Sequence, residues 1–306
     1  MESNTIFQRG LLMIANNILL KKTFRLLPSP LRTHLRKVYL RHNHWANPKL
    51  KRFGTVQDLY YWVSDENLDT LLILQNYFSM FYPDVDTKTN GSISVYDCDG
   101  HLLIENKFVI PHCGAVKVLT SELLNGRLTS ENYSYGTLQV KIDIPDSILD
   151  LIQSDNSSFY FWDRFYLGYK NCYGQTCFVH GVDKTDIYQV DDKKGLDWYT
   201  ETQNLKWAPE IPVDIENYKT FTIIMINRTR DATTIGLKIS DDNDKSNNWT
   251  LEVPGRGVRK VTIDKNDIND LMANNLRIGV EGMPTQFGRP IVFKEFHNGG
   301  ISAMHC

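Results

Sequence analysis

The sequence lacks a long apolar run, a regular cysteine framework and the common catalytic fingerprints. A membrane-spanning helix needs about 20 consecutive apolar residues. The nearest approach, Leu11 to Leu20, is broken by Asn16-Asn17, and no small-residue cleavage site follows it. It therefore reads as neither a span nor a secretory signal. Cysteine is scarce: Cys98, Cys113, Cys172, Cys177 and Cys306 make an odd set at irregular spacing. Such usage fits free thiols in a reducing compartment, so a cytoplasmic protein with unpaired cysteines is expected. There is no Gly-x-Ser-x-Gly elbow, P-loop, dinucleotide-binding glycine motif or His-Glu-x-x-His pair. These absences argue against the enzyme classes those motifs mark, and no cofactor is expected.

What is present is unevenly distributed. The net charge is −2, yet the segment up to Phe53 holds eleven Lys/Arg and a single acid, Glu2. Residues 1–54 read as a basic helical arm. Leu11, Ile14, Ile18 and Leu19 recur at helical spacing, Pro28 and Pro30 break the pattern, and Leu31 to Tyr39 starts a second helix. A basic amphipathic arm can lie on an anionic membrane surface, which would make the protein peripheral to a membrane. Its other reading is packing against the rest of the chain or a sister subunit. His34, His42 and His44 have no completing ligands at recognisable spacing, so no metal site is expected there. Nucleic acid is not an expected partner.

Beyond the arm, the chain repeats itself. Arg164 to His180 reads strand, tight turn, strand, and it returns ungapped as Arg289 to His305, with Arg164, Gly174 and His180 on Arg289, Gly299 and His305. Asn298-Gly299 is a strong hairpin signal, since glycine supplies the positive φ such turns need. Other landmarks recur in the same order. Leu71–Asn76 matches Thr222–Asn227, and Ile93–Gly100 matches Ile235–Asp244. Pro111–Gly114 then matches Pro254–Gly257, and Leu138–Asp143 matches Leu276–Glu281. Many short alternating strands with regular turn signals predict an all-β core of two tandem antiparallel β-sandwich, jelly-roll-like repeats. The expected boundaries are 55–182 and 218–306, with an acidic, proline-containing linker at 183–217.

The run of strand, Asp-rich turn, strand ending in Pro-x-x-Gly, and late strand Arg289-Pro-Ile-Val-Phe293 resembles the small β-sandwich family of sensory rhodopsin transducers. The resemblance covers each repeat and not the arm. It implies a carbohydrate-binding-like sandwich that associates into oligomers, here homo-oligomers, and it assigns no functional residue.

Residues that coincide between the repeats are candidates either for a site or for the frame. Arg164, Tyr166, Tyr169, Tyr173 and His180 are expected to form a ligand-binding face on the first repeat. A sugar lays its apolar face on an aromatic ring and offers hydroxyls to planar donors such as arginine. The second repeat has Ile291, Lys294 and Asn298 where the three tyrosines stand, so the first repeat is the expected binder. The framework reading has Arg164/Arg289, His180/His305 and Asn76/Asn227 closing loops. Asp97, Asp99 and Glu105, or Asp241, Asp242 and Asp244, could supply oxygen ligands to calcium, but turn formation is the commoner role of such Asp residues. His112-Cys113 offers an imidazole and a thiol, but neighbours on a strand point to opposite faces. The function these features point to is non-catalytic ligand binding or scaffolding, with carbohydrate the leading ligand class. The alternatives are an enzyme on a sugar or lipid-linked glycan, with His180 or His305 as acid/base, and a structural assembly protein.

Overall fold

The computed structural model describes residues 53–125, 134–148, 165–179, 185–189, 217–263, 265–268, 270–271, 276–283 and 290–305, with Pro28 and Leu31. The basic arm and the membrane surface expected of it lie outside the described residues, apart from those two and the start of the first strand. None of the described helices is long and apolar enough to cross a membrane.

The fold is all-β, in four small antiparallel sheets with short helices between strands. The first half holds β1 (Phe53–Val63), β2 (Leu68–Gln75), β3 (Thr89–Asp97), β4 (Leu102–Ile110), β5 (Ala115–Leu119), β6 (Tyr135–Asp143), β7 (Phe165–Asn171), β8 (Thr176–Val179) and β9 (Thr185–Gln189). Helices α1 (Tyr77–Phe81) and α2 (Thr120–Leu124) are single turns or little more. The second half holds β10 (Tyr218–Ile226), β11 (Thr233–Ser240), β12 (Ser246–Val253), β13 (Val258–Ile263), α3 (Lys265–Ile268), β14 (Arg277–Glu281), β15 (Ile291–Phe296) and β16 (Ile301–His305).

The sheet orders are β4-β3-β6-β1-β9 and β5-β2-β7-β8, then β12-β11-β14 and β13-β10-β15-β16. Stepping β2 to β8 onto β10 to β16 turns the first pair of orders into the second, with β1 and β9 added at one edge. The turns repeat as well. Asp97 Oδ1 accepts the backbone N–H groups of Asp99 and His101, and Asp241 Oδ1 accepts those of Asn243 and Lys245. Both hairpins close over three residues, since the Asn171 N–H donates to Gln175 O and the Phe296 N–H to Gly300 O. Gly174 (φ 84°) and Gly299 (φ 81°) take the left-handed position. One match moves: Val95 pairs with Leu138 and Ile239 with Ile278, so Leu138 corresponds to Ile278 rather than Leu276. A two-residue shift keeps every side chain on its own face.

Two elements escape the alternating pattern. Strand β1 precedes Leu71, and its Leu59 to Val63 are buried without alternation because both faces are covered. Within the expected linker, Thr185–Gln189 forms β9 and pairs with β1. The segment 183–217 is therefore not linker throughout.

The two halves share one contiguous core. Ile223 to Ile226 and Ile291 to Phe293 are all buried, so both faces of the β10–β15 pair are covered. The Phe293 and Tyr169 rings meet edge to face with centres 5.4 Å apart, and Lys260 Nζ lies 4.1 Å from the Tyr135 ring centre. The Val258 N–H donates to Cys98 O at 3.0 Å, and Arg259 reaches Cys98 O at 2.8 Å and Asp99 Oδ1 at 2.7 Å. The β3–β4 turn of the first half thus docks on the Pro254–Gly257 corner of the second.

Candidate ligand-binding face

Of the residues expected to form a site, Tyr169 and Tyr173 have described side chains. Arg164, His180 and Arg289 lie outside the described residues. The backbone of Tyr166 pairs with Ile73 on β7, and that of His305 pairs with Ile291 on β16. Tyr169 corrects the expectation. It is fully buried, donates its hydroxyl to Tyr61 O at 2.9 Å and packs on Phe293. Its partners across the sheet, Thr70 and Cys177, place it on the inward side of β7. Tyr173 sits in the hairpin turn, 77% exposed, with its ring beside Gly299 of the other hairpin. These two tyrosines do not share a stacking platform.

Asn76 and Asn227 are framework residues. Asn76 is buried and donates to Thr87 O and Pro111 O, while Asn227 donates to Asp231 O and Val253 O. Their own N–H groups bond Gly114 O and Gly257 O. Each asparagine ties the end of a strand to a corner that would otherwise leave buried carbonyls without donors.

An open concave face lies instead on the second half, on the sheet β12-β11-β14. Ile235, Leu237, Ile239, Ile278 and Val280 fill the buried side. The alternate positions Gly236, Lys238, Ser240, Arg277, Gly279 and Glu281 project to the other side. The register sets Lys238 between Asn248 and Gly279, and Ser240 beside Arg277. Glycines at 236 and 279 leave the floor low, and a Cβ at Gly236 would meet nothing nearer than Glu281 Cβ at 4.0 Å. The result is a half-open trough of about 370 Å³, rimmed by Lys238, Asn248, Thr250, Arg277, Glu281 and Asp244.

Arg277 is loosely held there. Its Nη2 reaches Asp241 O only at 3.4 Å and Asp242 Oδ1 at 3.8 Å. Its Nε is buried with no acceptor. A buried donor without a partner costs about 1–3 kcal/mol. The corresponding face of the first half is closed. Ser94 and Gln139 are buried, and Thr137 donates to Arg256 O of the second half. Sequence comparison missed this reversal because it depends on which face the other half covers. The one signal available was the pairing of small with charged residues in Gly236-Leu-Lys238 and Arg277-Ile-Gly279.

The structure also brings together His112 and Cys113, with Nε2 to Sγ at 3.2 Å. Opposed directions require extended backbone, and Cys113 instead has φ 51°.

No protein-family model matches the chain, and no curated protein matches it. Among solved structures, it is similar to a tetra-tandem repeat from the extending region of a large adhesion protein. The identity is 11%, over 82% of this chain and 48% of that one, with a TM-score of 0.19. A β-glucuronidase from glycoside hydrolase family 2 is 11% identical over 83% of this chain and 24% of that one, with a TM-score of 0.19. Vicilin from Capsicum annuum is 10% identical over 82% and 80%, with a TM-score of 0.12. The chain spans about half of the adhesion fragment and a quarter of the glucuronidase. Likeness at this level carries no argument about function.

Proposed function

We propose that this chain is a non-catalytic binding protein built from two tandem, jelly-roll-like β-sandwich repeats, 55–182 and 218–306. In this reading the open sheet face of the second repeat takes a polyhydroxylated ligand of the carbohydrate class. The recurrence of one sheet order in both halves supports the sandwich pair. The observation that carries the binding reading is the trough itself. A glycine floor admits a ring, and the rim mixes cationic donors, amide and hydroxyl groups and carboxylate acceptors.

Calorimetry against a panel of neutral and acidic oligosaccharides tests the reading. Arg277→Ala should weaken binding by about 1.5–3 kcal/mol, the range for hydrogen bonds to a charged group. Arg164→Ala should leave it unchanged. No binding by the parent protein, or a loss with Arg164→Ala alone, would place the ligand elsewhere or remove it.

A further inference from the structure

The Pro111–Gly114 corner of the first half and the Pro254–Gly257 corner of the second have the same backbone shape. Cys113 and Arg256 both take positive φ, at 51° and 60°. Their environments differ. Arg256 lies in the contact between the halves, with its guanidinium carbon 5.5 Å from the Tyr96 ring centre. Cys113 stays exposed.

Behind Cys113 a buried polar group holds the His112 ring. Thr87 and Ser79 are buried. The Thr87 backbone N–H donates to His112 Nδ1 at 3.3 Å, and Thr87 Oγ1 stands 2.9 Å from the same nitrogen. A backbone N–H can only donate, so Nδ1 is the acceptor and the ring proton of the neutral imidazole sits on Nε2. That N–H is shared between Pro83 O at 3.0 Å and Cys113 Sγ at 3.2 Å. Ser79 Oγ accepts the Cys113 N–H at 2.7 Å and fixes the turn that brings the sulfur round. An exposed thiol therefore has a hydrogen-bond donor already aimed at its sulfur.

We propose that Cys113 is a thiol-exchange site that takes low-molecular-weight disulfides, with His112 as the donor that meets negative charge on the sulfur. The Cys113 thiolate attacks one sulfur of RS–SR. The new Sγ–S bond forms as the S–S bond breaks, and the electron pair leaves on RS⁻, which takes a proton from water. Cys113 is oxidised to a mixed disulfide and the reagent is reduced by the same two electrons. The thiolate is the nucleophilic form of cysteine; a hydrogen-bond donor at its sulfur favours that form, and exposure lets a disulfide reach it.

The test treats the full chain with a limiting amount of an aromatic disulfide that releases a coloured thiolate, and maps the modified cysteine by peptide mass. Cys172 is also exposed, has no imidazole against its sulfur among the described contacts, and serves as the internal control. Cys113 should react about ten times faster than Cys172. His112→Ala should bring the two rates together while Cys172 keeps its own. Equal rates in the parent protein, or an unchanged ratio in His112→Ala, overturn the proposal. Loss of fold in that variant would show as fast labelling of the partly sheltered Cys98 and Cys177. The test then passes to Thr87→Val, which keeps the backbone N–H and frees the ring. A several-fold slowing at Cys113 supports the site, and no change overturns it.

Discussion

The contact between the two halves can be broken with a single methyl group. A Cβ on Gly257 would lie 2.6 Å from Cys98 O and 3.1 Å from Pro254 O. Both neighbours are backbone, so neither can swing aside. Relieving the overlap means pushing the β3–β4 turn away, which stretches the bonds that Cys98 O accepts from the Val258 N–H and Arg259 Nη1. Overpacking costs about 1–3 kcal/mol, and a weakened charged hydrogen bond adds to it. Gly257→Ala should therefore destabilise the protein by about 2–3 kcal/mol, a fall in melting temperature of roughly 3–5 °C for a chain of this size. Gly236→Ala is the matched control, because open space lies above that glycine. It should be neutral or stabilising by up to about 1 kcal/mol, through the less flexible unfolded chain. Calorimetric melting of both variants decides the matter. A Gly257→Ala midpoint within error of the parent would refute the docking of the turn on the corner.

Gly236→Ala should also raise the trough floor and weaken oligosaccharide binding while leaving the fold intact, read by calorimetry beside the melt. Tyr169→Phe should cost about 1 kcal/mol by leaving Tyr61 O without its donor, and should leave ligand binding untouched, because the ring is internal. Asp97→Ala should cost about 2 kcal/mol or more in chemical denaturation, since its Oδ1 holds two backbone N–H groups. Stability should also fall in alkali. Burial is the largest cause raising the phenols of Tyr61 and Tyr169 and the thiols of Cys98 and Cys177 above their ordinary values. Groups that hold protons more tightly when folded stabilise fully below their unfolded values and lose that contribution as pH rises. Those values are 9.0 for thiol and 10.0 for phenol, so the melting temperature should hold below about pH 8 and drop above it. A midpoint constant through about pH 10.5 would contradict this.

The sequence by itself determined the all-β character, the repeated order of strands and turns, and the turn chemistry. These are local matters. Alternation in Thr233–Ser240 reports one buried face, Asp97 and Asp241 bond backbone within four residues, and Gly174 and Gly299 relieve positive φ where they stand. Tertiary structure alone decided what covers each face. Strand β1 reads as a plain apolar run because it is covered on both sides, and β9 is an edge strand among acidic residues with little pattern of its own. Tyr169 reads as a surface aromatic until the neighbouring half brings Phe293 against it. Thr137 and Lys260 are ordinary polar residues until Arg256 O and the Tyr135 ring arrive from the opposite half. Whether a polar side chain lines an open trough or a closed contact depends on partners more than a hundred residues away, which local spacing does not encode. The left-handed turn at Cys113 follows the same logic, because Ser79 and Thr87 from a distant segment hold the corner that sets the thiol beside its imidazole.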